Sequence, residues 1–198
     1  MKRLLSIFTV LFWCGFSAQA EKVVATYTLS YFEKEYEIEA SEIKNDKFTI
    51  YIQVSAENSS TRAMIGVESD KIAEFIQSLQ QMKDKYVEWF KVAKENNVKE
   101  LTKEMDISFP STTICWKGTE WYFSFGQRLI PKYIILDSGK NVVTFVNKVT
   151  ASSNEYIDET TYWVFSDSKE IDDLIAALNV EKIKSKLLEK VKAADLFK

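Results

Sequence analysis

Between Glu21 and Val67 apolar and polar residues alternate along most of the chain. Val23, Ala25, Tyr27, Leu29 and Tyr31 are interleaved with Thr26, Thr28 and Ser30. After a charged turn at Glu33-Lys34-Glu35 come Tyr36, Ile38 and Ala40, and then Phe48, Ile50, Ile52 and Val54 against Thr49, Gln53 and Ser55. Successive side chains of an extended chain point to opposite sides, so a period of two predicts half-buried strands. The run Ala63 to Val67, beyond a polar loop at Glu57-Asn58-Ser59-Ser60, predicts a fourth strand.

At Ser69, expected to be a helix N-cap, the period changes. Ile72, Phe75, Ile76, Leu79, Met82, Tyr86, Phe90 and Ala93 recur at three and four, with Lys71, Glu74, Gln81, Lys85 and Glu88 between them. That spacing predicts one long amphipathic helix ending near Asn96-Asn97. Beyond Met105 to Pro110, two aromatic-rich strands flank Lys117-Gly118. A second hairpin joins Tyr133–Leu136 to Val142–Val149 through Asp137-Ser138-Gly139-Lys140-Asn141, and a strand from Thr160 to Ser166 follows a polar loop. Ser168 is expected to cap a helix carrying Ile171, Leu174, Ile175 and Leu178. A last amphipathic stretch carries Ile183, Leu187, Leu188 and Val191.

These elements predict an α+β fold: a mostly antiparallel sheet of roughly eight to ten strands, covered on one face by the long helix and the C-terminal helices. The segment Ile65 to Leu79 aligns without gaps to Val164 to Leu178, matching Ser69, Ile72, Ile76 and Leu79 to Ser168, Ile171, Ile175 and Leu178. Two organisations stay open: a single domain over 21–198, or two strand-meander-plus-helix repeats, 21–97 and 98–198. Any strand running into a serine-led amphipathic helix produces a similar echo.

The first twenty residues read as an address. Lys2 and Arg3 precede an apolar run from Leu4 to Phe16, and Ala18-Gln19-Ala20 supplies small residues at a cleavage site. This is the order of a secretory signal peptide, and the run falls short of the roughly 20 apolar residues of a spanning helix. Lipid attachment at Cys14 is disfavoured because Trp13, a large residue, precedes it. The expectation is a periplasmic or secreted protein starting at Glu21, with no integral membrane segment after cleavage.

Composition narrows the chemistry. The chain has no histidine, which removes Ser-His-Asp and Cys-His nucleophile systems and histidine metal sites. Beyond the leader Cys115 is the one cysteine, set in the strand-like run Thr112 to Trp116, and it is expected to be buried and reduced. The whole chain carries 26 Lys and Arg against 29 Asp and Glu, and loss of Lys2 and Arg3 makes the rest more acidic. Arg62 and Arg128 are then the only arginines. Bidentate recognition of phosphate and bases leans on arginine, so nucleic-acid binding is not expected.

No motif specifies a catalytic, cofactor or metal site. Glu155, Asp158 and Glu159 fall on a predicted loop, while Asp167, Glu170, Asp172 and Asp173 fall at a helix start, where acids complement the helix dipole. Ser41 and Lys44 form a Ser-x-x-Lys pair in a charged turn, without the further elements that such a nucleophile needs. What remains is aromatic. Trp121, Phe123 and Phe125 share one side of a strand and are expected to face the core, which leaves Tyr122 outside as a candidate partner contact. Trp89 widens the apolar stripe of the long helix and is the second candidate, either buried or on a contact surface.

The functional expectation is an exported, non-enzymatic binding protein whose partner is a protein, a glycan or an apolar small molecule. Two alternatives stand beside it: a carrier holding an apolar ligand between sheet and long helix, and a glycan hydrolase using two carboxylates.

Overall fold

The computed structural model describes residues 22–58 and 60–195, with side chains through residue 189. The expected leader and cleavage site, Cys14 and the side chain of Val191 lie outside the described residues. Ten strands and three helices follow in the order β1 (Lys22–Leu29), β2 (Lys34–Ala40), β3 (Thr49–Ala56), β4 (Arg62–Glu68), α1 (Ile72–Glu95), β5 (Leu101–Glu104), β6 (Thr112–Lys117), β7 (Trp121–Gln127), β8 (Lys132–Ile135), β9 (Asn141–Ala151), β10 (Asn154–Phe165), α2 (Ser168–Ala177) and α3 (Val180–Asp195). The fold is the expected α+β arrangement, with an open sheet.

All pairings are antiparallel, and the strands run β5-β8-β9-β10-β3-β4-β6-β7, with β2 and then β1 continuing from β3. One edge of β3 therefore serves two neighbours. Ile50 to Ile52 pair with β2, and Ser55 and Ala56 pair with β10. Side chains fill the fork between them: the Tyr27 hydroxyl donates to the Gln53 carbonyl at 2.5 Å, Gln53 Oε1 accepts from the Glu37 amide at 3.1 Å, and the Tyr36 and Ser55 hydroxyls lie 2.6 Å apart. Backbone groups that lose ladder partners must find others, and here tyrosine supplies one.

The core lies between the sheet and the helices. Phe75 of α1 stacks on Trp163 and meets Phe109 edge-on, Tyr86 packs on Tyr133, and α2 and α3 contribute Ile171, Leu174, Ile183 and Leu187. Glu170 pins α2 to the sheet. Its carboxylate, 6% exposed, accepts the Ser30 and Ser166 amides at 2.8 Å each and the Ser166 hydroxyl at 3.3 Å.

Several local expectations are corrected. A bulge between Val23 and Ala25 shifts the phase of β1, burying Val24 and exposing Val23. Ser69 does not cap α1: its amide and hydroxyl bond to Phe48 and prolong the β3–β4 pairing, so the helix begins at Ile72 after Lys71, which makes no side-chain cap bond. Nor does Ser168 cap α2, because Asp167 accepts the Lys169 amide at 2.8 Å and Ser168 is already helical. Phe90 is exposed although it follows the helical period. Strand β5 was not predicted, and Glu155, Asp158 and Glu159 lie on the extended start of β10, not in a loop. The three strands before each of α1 and α2 form a meander. Before β8, however, the chain makes the β6–β7 hairpin, which joins β4.

A candidate interaction surface on the sheet side away from the described helices

Strand registers assign every sheet residue to a side. Ala63 and Ile65 of β4 point to the core and lie opposite Trp116 and Ile114 of β6, which in turn lie opposite Tyr122 and Ser124 of β7. Tyr122 thus faces the core side, 5.9 Å from Trp116, with its hydroxyl 3.0 Å from that of Thr119. Trp121, Phe123 and Phe125 are on the opposite side, reversing the expected assignment. Phe123 and Phe125 stack in parallel at 6.0 Å, and Phe125 is 56% exposed.

The same side carries more apolar residues than a solvated sheet face calls for. On the central strands it bears Met64 and Cys115, paired across β4 and β6, and both are buried. The Cys115 thiol, buried as expected, points to the Met64 carbonyl at 3.7 Å. Over β8–β9–β10 the register sets Ile134 beside Val142, Thr144 beside Val164, and Val146 beside Tyr162. Val146 is 53% exposed. The Tyr51 ring lies over Gly66, where an added Cβ would come within 3.3 Å of it. Antiparallel sheets with one solvated face alternate cleanly, whereas runs such as Ala63-Met64-Ile65 and Val142-Val143-Thr144-Phe145-Val146 are those of strands covered on both faces.

Charged residues interrupt this side: Lys117 lies beside Arg62, Lys132 beside Thr144 and Lys148 beside Thr160, and one group of them is ion-paired. Arg62 Nη2 reaches across β3 to Glu37 at 2.9 Å and to Glu39 at 2.7 Å. Glu39 is 5% exposed and its second oxygen, Oε2, has no hydrogen-bond partner.

Trp89, the other predicted contact, sits on the helix side. It is half-buried, edge-on to Tyr133 at 5.6 Å, with the ammonium groups of Lys103 and Lys85 at 4.7 and 5.4 Å from its ring. Nearby, Tyr86 donates to the carbonyls of Asn141 and Ser166, and burial, helped by the charge of Asp167, pushes its phenol well above the ordinary tyrosine range.

Strand edges are mostly occupied. Lys186 of α3 donates to the Val24 carbonyl on β1, and Ser152, in the β9–β10 turn, donates its amide to the Phe123 carbonyl on β7 while its hydroxyl accepts from the Phe125 amide. Strand β5 is short and carries Lys103 and Glu104, residues that discourage edge pairing. Two recesses among the described residues, of about 320 and 130 Å³, are open; the first is lined by charged residues such as Glu42, Lys44, Lys47 and Asp70. Among the described residues no acids or cysteine cluster as a metal site, and no helix is long and apolar enough to cross a membrane.

The alternation in the sequence groups Trp121, Phe123 and Phe125 correctly; only the pairing with β6 decides their side. The Glu37–Arg62–Glu39 cluster was not foreseen, although Glu37 and Glu39 two apart on one strand were a usable signal. Comparison of the chain with protein-family models, with curated proteins and with solved structures finds no match.

Proposed function

We propose that this is an exported, non-enzymatic binding protein that engages a protein partner through the sheet side its helices leave open. The observation that carries the reading is the exposure of Phe125 on β7 and Val146 on β9 on the sheet side away from the described helices. Exposed Phe125 and Val146 supply aromatic and aliphatic anchors of the kind that dominate interface energetics. A broad face suits a macromolecule better than a small ligand. The space a carried ligand would occupy between sheet and α1 holds the rings of Phe75, Phe109, Phe145 and Trp163. The carboxylates of Glu37 and Glu39 are both tied to Arg62, an arrangement that favours the ionised form of each over the acid-and-base division the hydrolase alternative needs.

Site-specific photocrosslinking in cells that make the protein tests this. A photoreactive residue at position 125 or 146 is expected to yield a crosslinked product of defined mass, whereas one at Val87, exposed on α1, is not. Products from 87 alone, or from none of the three, would overturn the reading. Export is tested separately by intact mass, with a chain starting at Glu21 expected.

A further inference from the structure

Strand β7 stands at one end of the strand order, and its edge away from β6 joins no ladder. Such edges attract other chains, and proteins blunt them with charge, proline or short length. Strand β5, at the other end, is four residues long and carries Lys103 and Glu104. Strand β7 runs for seven residues, from Trp121 to Gln127, without charge or proline. Side chains and one turn cover it instead. The Phe123 carbonyl accepts the Ser152 amide at 2.8 Å, the Phe125 amide donates to the Ser152 hydroxyl at 3.3 Å, and the Phe125 carbonyl accepts from Gln127 Nε2 at 3.2 Å. Ser152 therefore bonds to β7 as a residue of an added strand would. In a parallel ladder the residue beside Ser124 donates its amide to the Phe123 carbonyl and accepts the Phe125 amide at its own carbonyl. Ser152 does both, with its hydroxyl in the place of the carbonyl. It is exposed, and its turn joins the β9–β10 ladder through the single pair Ala151–Asn154, ahead of a bulge at Glu155, Tyr156 and Ile157.

We infer that β7 is a strand-receiving edge, that the Ser152 turn is a strap seated in it, and that the protein partner displaces the strap and adds an extended segment parallel to β7. An edge of this kind recognises main chain, and alternate side chains of the added strand supply selectivity. Phe123 and Phe125, stacked on the open side, favour apolar residues at every second position of that segment. This inference rests on the reading of the open side as a binding face and adds how the partner is held.

The test uses a matched pair of probes, acetyl-Thr-Val-Thr-Val-Thr-amide and its fully N-methylated copy, which keeps the side chains and loses every backbone donor. The amide resonances of Phe123 and Phe125 are followed as each is titrated into the full folded chain. Ser152→Pro removes the amide that seats the strap, and Ser152→Ala removes the hydroxyl alone. The unmethylated peptide is expected to shift both amides saturably, at least tenfold tighter in Ser152→Pro than in the unaltered chain, with Ser152→Ala between them. The methylated copy is expected to give no saturable shift. Should Ser152→Pro fail to fold, Ser152→Ala carries the comparison. Equal responses to the two peptides, equal affinities with and without the Ser152 substitutions, or no saturable shift at millimolar peptide in a folded Ser152 variant would each overturn the strand-receiving edge. Crosslinks from positions 125 and 146 together with a failed titration would remove the edge alone. Loss of those crosslinks with a successful titration would remove the binding face and leave the edge.

Discussion

Two buried carboxylates, Glu170 and Glu39, sit on opposite sides of the same sheet at nearly equal burial, and their surroundings differ in kind. Glu170 accepts two backbone amides and a hydroxyl, joining the end of β1, the end of β10 and the first turn of α2. Glu39 shares one arginine nitrogen with Glu37 and has an oxygen to spare. Buried polar groups in folded proteins are nearly always satisfied, so a completed carboxylate acts as a structural pin. An incomplete one carries the cost of an unmet bond within the fold. The contrast separates these two carboxylates and not the sides as wholes, since on the helix side the buried Trp163 Nε1 also lacks a hydrogen-bond partner.

The sharpest way to break that comparison is to remove each carboxylate. Glu170→Ala strands two backbone amides in a junction of three elements and is expected to cost about 3 kcal/mol in denaturant unfolding, since bonds to charged groups contribute roughly 1.5 to 3 kcal/mol each. Glu39→Gln keeps the shape and an oxygen that accepts from Arg62, which stays paired with Glu37, and is expected to cost less than Glu170→Ala because no charge is left buried without a partner. Equal losses for the two variants would mean that Glu39 is also a pin.

The aromatic pair on β7 divides the same way. Tyr122→Ala removes a ring packed beside Trp116 and is expected to cost about 2 kcal/mol. Phe125→Ala, on the open side, is expected to stay within about 0.5 kcal/mol while losing the partner crosslinks. A reversal of these costs would put the core on the other side of β7.

Alkaline pH should probe the helix side. Tyr27, Tyr36, Tyr86 and Tyr133 all have phenols raised by burial, and Tyr86 donates to the Ser166 carbonyl beside the Glu170 junction. Because the folded state holds these protons more tightly than the unfolded chain, their contribution is fully present below the unfolded tyrosine value of about 10 and is lost as pH rises above it. Unfolding free energy should therefore hold level to about pH 9 and then fall. In Tyr86→Phe the fall should be shallower, at a cost of about 1 kcal/mol near neutrality. An unchanged alkaline slope in that variant would exclude Tyr86 as a contributor.

What the sequence determined by itself is periodic or local. Alternation located the strands from Tyr36 to Val67 and the paired runs around Lys117-Gly118 and Asp137–Asn141, and the three-four spacing located α1. The strand-like setting of Cys115 predicted its burial. A period of two divides residues into two sets, but its sign is set by neighbouring strands. Tyr122 faces inward because Trp116 opposite it does, and Trp116 does so because Ala63 pairs with it. The cap positions depended likewise on remote bonding, with Ser69 drawn into the sheet by Phe48, some twenty residues earlier in the chain. Arg62 meets Glu37 and Glu39 only because β2, β3 and β4 lie side by side, and the pinning of Ser30 by Glu170 requires α2 to reach the end of β1. Local pattern fixes which side chains share a face, whereas contacts between distant segments form only when strands pair in one register. That is why the elements could be read from the chain, while the open side and its incomplete carboxylate were decided by tertiary structure.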